Sequence, residues 1–290
     1  MCQKISNLQS PISNLHSHKF AFTLVELSVV LVIIGLIVGG VLVGQSLIKA
    51  AEMRSVITEL EYYKTAVNTF KIKYNALPGD MKDAQLFFGV SPYCGTADQG
   101  NHQYTGACNG GGDGYVFYTT VGGGSGIVYF GEEQFYFWQH LANAGMITGK
   151  YSGNSGAGHN YQDGVAGVNV PNAKLNNATW CAVASGTGWV FQRDYRNSLS
   201  IGSAKPEGSL GACPPTLLSR KEAYDIDTKI DDGLPAKGIA VVNNIQACSS
   251  VGNPAINYTN LNVDYALNTT AYGETSDAKV CALMFLNSFY

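Results

Sequence analysis

Leu27 to Ile48 runs without a single charged residue and is built mostly of Val, Leu, Ile and Gly. Its length matches or exceeds the roughly 20 residues that a helix needs to cross a bilayer core. A cleavable secretory signal has a shorter apolar core, about 7 to 15 residues, with a small-residue cut site after it. Here the small residue, Ala21, comes before the run, so the order is reversed. The helix is therefore expected to stay on the chain, with its first half in lipid or in the core of an assembly.

One carboxylate interrupts the edge of this segment, Glu26 in Lys19-Phe20-Ala21-Phe22-Thr23-Leu24-Val25-Glu26-Leu27. A carboxylate at the centre of a bilayer costs on the order of 3 kcal/mol on insertion scales, so it needs interfacial depth or a partner. The flanks fix the orientation. Residues 1–21 hold Lys4, Lys19, His16 and His18 and no Asp or Glu. The positive-inside rule keeps that short tail cytoplasmic and puts the large C-terminal part outside.

These residues resemble the leader of type IV prepilins and type II secretion pseudopilins: a basic leader, a small residue, Phe-Thr-Leu-x-Glu and an apolar run. In that family a prepilin peptidase cuts before the apolar helix and methylates the new N-terminus. The resemblance implies a cut between Ala21 and Phe22, an N-methylated Phe22, and Glu26 as the assembly glutamate that pairs with the amine of a neighbouring subunit. Ala21 stands where the family usually has Gly. The implied organisation is a cleaved leader at 1–21, a transmembrane or filament-core helix at 22–48, an amphipathic continuation at 49–75 and an exported head at 76–290. The implied fold is pilin-like and α+β, a long N-terminal helix packed on a mainly antiparallel β-sheet head. The implied partners are the inner membrane, other pilin-like subunits, the peptidase and, indirectly, an assembly platform and ATPase.

The helical pattern continues beyond Lys49. Met53, Val56, Ile57, Leu60, Tyr63, Val67, Phe70 and Tyr74 recur at spacings of three and four, with Glu52, Arg54, Glu59, Glu61, Lys64 and Lys71 largely on other faces. The pattern stops at Asn75-Ala76-Leu77-Pro78-Gly79-Asp80, where Pro removes a donor and Gly permits a sharp turn. A helix from Phe22 to Tyr74 would be roughly 80 Å long. Gly35, Gly39, Gly40 and Gly44 give two Gly-x-x-x-Gly spacings that allow close helix approach in a membrane.

In the head, Glu132–Ala144 reads as a helix closed by Gly145. Strand candidates are 115–121, 127–130, 178–185, 189–195, 239–245 and 280–286, rich in β-branched and aromatic residues. Ser185-Gly186-Thr187-Gly188 reads as a hairpin turn between two of them. The intervals 91–114, 149–177 and 196–237 read as long loops that need fastening.

Of seven cysteines, Cys2 lies in the leader, and Cys94, Cys108, Cys181, Cys213, Cys248 and Cys281 all lie in the exported part. An even number in an oxidising compartment favours disulfides. Loop length suggests Cys94 with Cys108 and Cys213 with Cys248, leaving Cys181 with Cys281. No Cys-x-x-Cys occurs and the five His are scattered, which argues against structural zinc.

Candidate chemistry is sparse. Asp225, Asp227, Asp231 and Asp232 form the densest carboxylate cluster and offer hard oxygen ligands for calcium. Lys229 and Ile230 break the EF-hand pattern. Gly123-Gly124-Ser125-Gly126-Ile127 and Gly153-Asn154-Ser155-Gly156-Ala157 lack the final Gly of a nucleophile elbow. Gly110-Gly111-Gly112-Asp113-Gly114 lacks the Lys-Ser or Lys-Thr of a phosphate loop. With 18 basic and 21 acidic residues, the formal net charge is −3, and losing the leader removes two more positive charges. Such a surface offers no electrostatic case for nucleic acid. The expectation is a filament subunit without catalytic residues or cofactor. The alternatives are a minor or tip subunit whose head binds a surface, DNA or a secreted substrate, and a membrane-anchored exported enzyme.

Overall fold

The computed structural model describes residues 23–92, 94, 106–116, 119–122, 127–130, 133–154, 164–183, 197–204, 216–242, 248, 265 and 278–289. The chain divides into two compact units, Met1–Lys49 and Ala50–Tyr290. Helix α1, Leu24–Tyr74, contributes to both and is 51 residues long.

In the second unit, Met53, Val56, Leu60, Tyr63, Ala66, Val67 and Phe70 of α1 are buried, the apolar stripe that the spacing predicts. The stop also follows the sequence. Asn75 takes a left-handed φ of 51° while its N–H still bonds to Lys71 O at 2.8 Å. Asn is one of the few non-Gly residues that tolerate that conformation. Gly79 follows at φ 87°, and a Cβ there would lie 2.6 Å from the carbonyl oxygen of Glu133. Only glycine fits this turn.

After the short α2 (Ala84–Phe88) come a hairpin of β1 (Thr119–Gly122) and β2 (Ile127–Phe130), then α3 (Glu133–Asn143). The main sheet holds β3 (Ala178–Val183), β4 (Ser198–Ser203), β5 (Ala240–Val242) and β6 (Leu283–Phe285) in the order β3-β4-β6-β5, all antiparallel. Helix α4, Arg220–Ile230, lies between β4 and β5 in the chain. The architecture is α+β, a long helix with a small antiparallel four-stranded sheet, consistent with a pilin-like fold.

An aromatic seam joins α1, α3 and the sheet. The Tyr63 ring lies 5.0 Å from Trp138 of α3 and 5.6 Å from Trp180 of β3, and Trp180 lies 5.7 Å from Phe285 of β6. Edge-on aromatic pairs at these separations add about 0.5–1.5 kcal/mol each beyond the area they bury. Burial holds the Tyr63 hydroxyl protonated well above the usual range.

Several expectations need correction. The interval 196–237 is not a loop, for it contains β4 and α4. Strand β4, Ser-Leu-Ser-Ile-Gly-Ser, lacks β-branched density because it is an inner strand whose small residues are buried on both faces. Ser200 there donates to Leu283 O at 3.2 Å. Helix α4 opens on a capping box between Ser219 and Glu222, a Ser-x-x-Glu signal present in the sequence. The strand expected at 115–121 starts only at Thr119, since the Val116 N–H is taken by Asn197 Oδ1 at 3.0 Å. The turn 185–188 and the strand 189–195 lie outside the described residues. The antiparallel partner of β3 on its described side is β4, with Val183 opposite Ser198.

The cysteine pairing is also corrected. Cys94 bonds to Cys108, and Cys248 bonds to Cys281. The expected Cys213–Cys248 and Cys181–Cys281 pairs therefore do not form. Loop closure favoured the shorter ring, but Cys281, two residues before β6 and bridged to Leu218, lies with its Cα 5.3 Å from that of Cys248. Cys181 is disulfide-bonded. Cys213 lies outside the described residues.

Candidate functional site

The amino-terminal end of α1 is the candidate assembly site. Ala21 and Phe22, on either side of the expected cut, lie outside the described residues. Thr23 stands directly before the first helical residue, Leu24. The Thr23 N–H donates to Glu26 Oε2 at 2.8 Å and the Thr23 hydroxyl donates to the same oxygen at 2.7 Å. In return the Glu26 N–H donates to Thr23 Oγ1 at 3.2 Å. This is a reciprocal capping box, which satisfies donors that the first turn of a helix leaves orphaned. The sequence reading treated Glu26 as a charge alone and passed over Thr23, although Thr-x-x-Glu before an apolar run is the usual signature of such a box.

Beyond the cap the large apolar side chains from Leu24 to Ile48 are exposed. The two serine hydroxyls among them are satisfied within the helix. Ser28 Oγ donates to Val25 O and Ser46 Oγ to Val43 O, both at 2.8 Å. A Cβ placed on Gly35, Gly39, Gly40 or Gly44 would meet nothing within 4 Å, so these positions leave flat, open strips. An exposed apolar helix surface with its hydroxyls bonded internally and with small-residue strips suits lipid and close packing by other helices. This is the one described helix long and apolar enough to cross a membrane.

In the second unit four ionisable groups accept hydrogen bonds: Glu59 of α1, which is buried instead of lying on an outer face as its spacing suggests, Asp80 after the helix, and Glu133 and His140 of α3. Glu59, buried on α1, accepts the Lys174 N–H at 3.1 and 3.0 Å and the Trp180 Nε1–H at 3.2 Å. Asp80 accepts the N–H groups of Asp113 and Gly114, each at 2.9 Å. Burial raises its pKa, and those hydrogen bonds oppose the shift. Glu133 accepts the Gly111 N–H at 2.6 Å. The amides of Gly111, Asp113 and Gly114 are thus occupied by the protein's own carboxylates, and that of Gly110 by Met81 O at 2.8 Å. His140, fully buried, accepts the Gly79 N–H at Nδ1 (2.9 Å) and faces Cys108 O from Nε2 at 2.7 Å. Accepting at Nδ1 assigns the proton to Nε2, and burial pulls the imidazole pKa down to about 4. The Leu-Pro-Gly-Asp stretch after α1 therefore does more than end a helix. It fastens the disulfide loop of Cys94 and Cys108 to α3.

The acidic cluster divides. Asp227, Asp231 and Asp232 bring oxygens within 4.8 Å of one another. Asp225 stands apart and pairs with Lys221, because residues two apart on a helix point to nearly opposite sides. Asp227 is buried, and burial, followed by its hydrogen bond to Asp231, raises its pKa to about 9. It therefore holds a proton at neutral pH and donates it to Asp231. Burial alone would raise Asp231 as well, but that bond and the N–H groups of Ile239, Asp232 and Ala240 hold it low. Tyr265 donates to Asp227 Oδ2 at 2.9 Å and the Gly233 N–H reaches Oδ1 at 3.3 Å. The cluster as it stands closes the end of α4 against β5. A divalent ion there would have to displace the Asp227 proton and compete with those donors.

No curated protein and no solved structure matches the chain. Its start does match a family: residues 16–42, which contain the Thr23–Glu26 cap and the first half of the exposed apolar helix, carry the prokaryotic N-terminal methylation motif, the leader signature of type IV prepilins and pseudopilins.

Proposed function

We propose that the chain is a structural subunit of a type IV pilus or a type II secretion pseudopilus. It is held in the inner membrane by the first half of α1, trimmed and methylated at Phe22, and assembled through residues 22–48. The observation that carries this reading is the exposed apolar half of α1 directly behind the methylation motif, with its hydroxyls bonded back to their own helix. Such a surface suits lipid before assembly and a bundle of like helices afterwards. In the bundle Glu26 faces the methylated amine of a neighbouring Phe22, which offsets the buried charge and sets the axial register. The motif's relatives are structural, which supports a role without catalysis. The bulk of Ala50–Tyr290, with its disulfide-tied loops, favours a minor or tip subunit over a major one. Mass spectrometry of the mature protein tests the processing, with a chain starting at N-methylated Phe22 expected. Quantifying Glu26→Ala in sheared filaments tests the assembly, with loss of incorporation expected.

A further inference from the structure

We infer that Cys94 is an exchange site for small thiols: an outside thiolate attacks its sulfur, the Cys94–Cys108 bond opens, and Cys108 is held in place to close it again. The inference stands apart from the filament reading.

The two described disulfides differ in access. Both cysteines of the Cys248–Cys281 bond are fully buried. In the Cys94–Cys108 bond Cys108 is fully buried, whereas Cys94 is only half-buried. Exchange requires the attacking thiolate to reach one sulfur, so access selects both the bond and the sulfur. The Gln85 side-chain N–H, 3.6 Å from Cys94 Sγ, sets a donor beside the point where the arriving charge would lie.

In the exchange a new bond forms to Cys94 Sγ, the Cys94–Cys108 bond breaks, and its electron pair leaves on Cys108 Sγ. One disulfide and one thiolate become one mixed disulfide and one thiolate, so no separate oxidant or reductant is needed. Burial in apolar surroundings disfavours the Cys108 thiolate. That makes Cys108 a reluctant leaving group and a strong returning nucleophile, since nucleophilicity rises with thiol pKa.

The backbone around Cys108 is held by bonds that involve neither sulfur. The Cys108 N–H donates to Gln139 Oε1 at 3.1 Å, and the Cys108 carbonyl lies 2.7 Å from His140 Nε2. The Ala107 N–H donates to Gly89 O at 2.8 Å, and Ala107 O accepts the Ser91 N–H at 3.2 Å. Asn109 Oδ1 accepts the Gln85 N–H at 2.9 Å, and the Gly110 N–H donates to Met81 O at 2.8 Å. These contacts keep residues 107–110 on α3 and on the 81–91 segment when the disulfide opens. The released sulfur therefore stays at high effective concentration beside its former partner. The result is a tether that opens and closes while the core around it remains folded.

The test incubates the detergent-solubilised full chain with reduced glutathione near neutral pH, traps free thiols with N-ethylmaleimide and maps the peptides by mass spectrometry. The Cys94–Cys108 bond is expected to open at least about tenfold faster than Cys248–Cys281, which must wait for the core to open. Glutathione is expected on Cys94 and not on Cys108. In denaturant the difference between the two bonds should vanish, and glutathione disulfide should restore the Cys94–Cys108 pair in the folded chain. Two variants isolate the roles: Cys108→Ser should retain glutathione on Cys94, while Cys94→Ser should leave the Cys108 thiol unmodified. Equal rates for the two bonds in the native chain overturn the inference. So does glutathione carried on Cys108, a rate difference that persists in denaturant, or reoxidation to other pairs. All of these readings come from the parent chain and do not depend on the folding of either variant.

Discussion

Glu26 and Glu59 lie on the same helix and meet opposite surroundings. Glu59, in the second unit, is buried and takes three hydrogen bonds from Lys174 and Trp180 of the head. Glu26, in the first unit, is exposed and, among the described residues, its carboxylate is bonded only to Thr23, three residues away. The apolar residues around them divide in the same way: those of the stripe from Met53 to Phe70 are buried, whereas the large ones from Leu24 to Ile48 are exposed. A half-helix with its partners supplied is a matter of folding. A half-helix whose large apolar side chains are exposed is the part on which the proposed function rests.

The largest test of this contrast is Glu59→Ala. It leaves the buried Trp180 indole N–H without an acceptor, costing about 1–3 kcal/mol, and strips the part-buried Lys174 N–H of its partner as well. A loss of about 3 kcal/mol from the head is expected, or a fall of roughly 6–12 °C in thermal midpoint by circular dichroism for a unit of this size. A shift under about 2 °C would mean that the Glu59 contacts do not fasten α1 to the head. Gly79→Ala should come next. It forces a positive φ on alanine and drives a Cβ to 2.6 Å from Glu133 O, so about 2 kcal/mol is expected. The accompanying loss of the Gly79–His140 bond would appear as faster hydrogen exchange at that amide.

Asp227→Asn reads out the proton held at the end of α4. Asp227 titrates near 9 in the folded protein and near 3.9 in an unfolded chain. The folded state therefore binds more protons between those values, and stability declines as pH rises through that window, by up to about 1.4 kcal/mol per unit. Asn keeps the donor to Asp231 without titrating. Its melting temperature should be nearly flat from pH 5 to 9 where the parent's falls, and the variant should be the more stable at pH 8. Parallel profiles for the two chains would sink the shared-proton assignment.

How much of this was legible in the sequence depended on whether a signal was local. The apolar run, the three-four spacing from Met53 to Tyr74 and the Pro-Gly stop gave α1 nearly to its ends, because helix periodicity is carried by neighbouring residues. Strand β4 was hidden because Ser and Gly in an inner strand carry no β pattern, and only its pairing with β3 and β6 defines it. Two capping boxes, Thr23–Glu26 and Ser219–Glu222, were readable and passed over. The Cys248–Cys281 bond and the roles of Glu59, Asp80 and His140 were not readable, since each joins residues far apart in sequence that only the folded sheet brings together.

The smallest expected effect is the sharpest check on the division between the two halves. A chain beginning at Ala50 keeps every residue of the head's buried core, from Met53 to Phe289. It also keeps the Glu59, Asp80 and His140 contacts and both described disulfides. What it loses is a length of helix whose large apolar side chains are exposed. Its melting temperature should therefore match that of the detergent-solubilised full chain within about 2 °C, the scale of less than 1 kcal/mol for a unit of this size. Fraying of the new helix end accounts for a fall of that order and no more. A larger fall would show that the first half of α1 stabilises the head as well as anchoring it, and the contrast between Glu26 and Glu59 would then be one of degree.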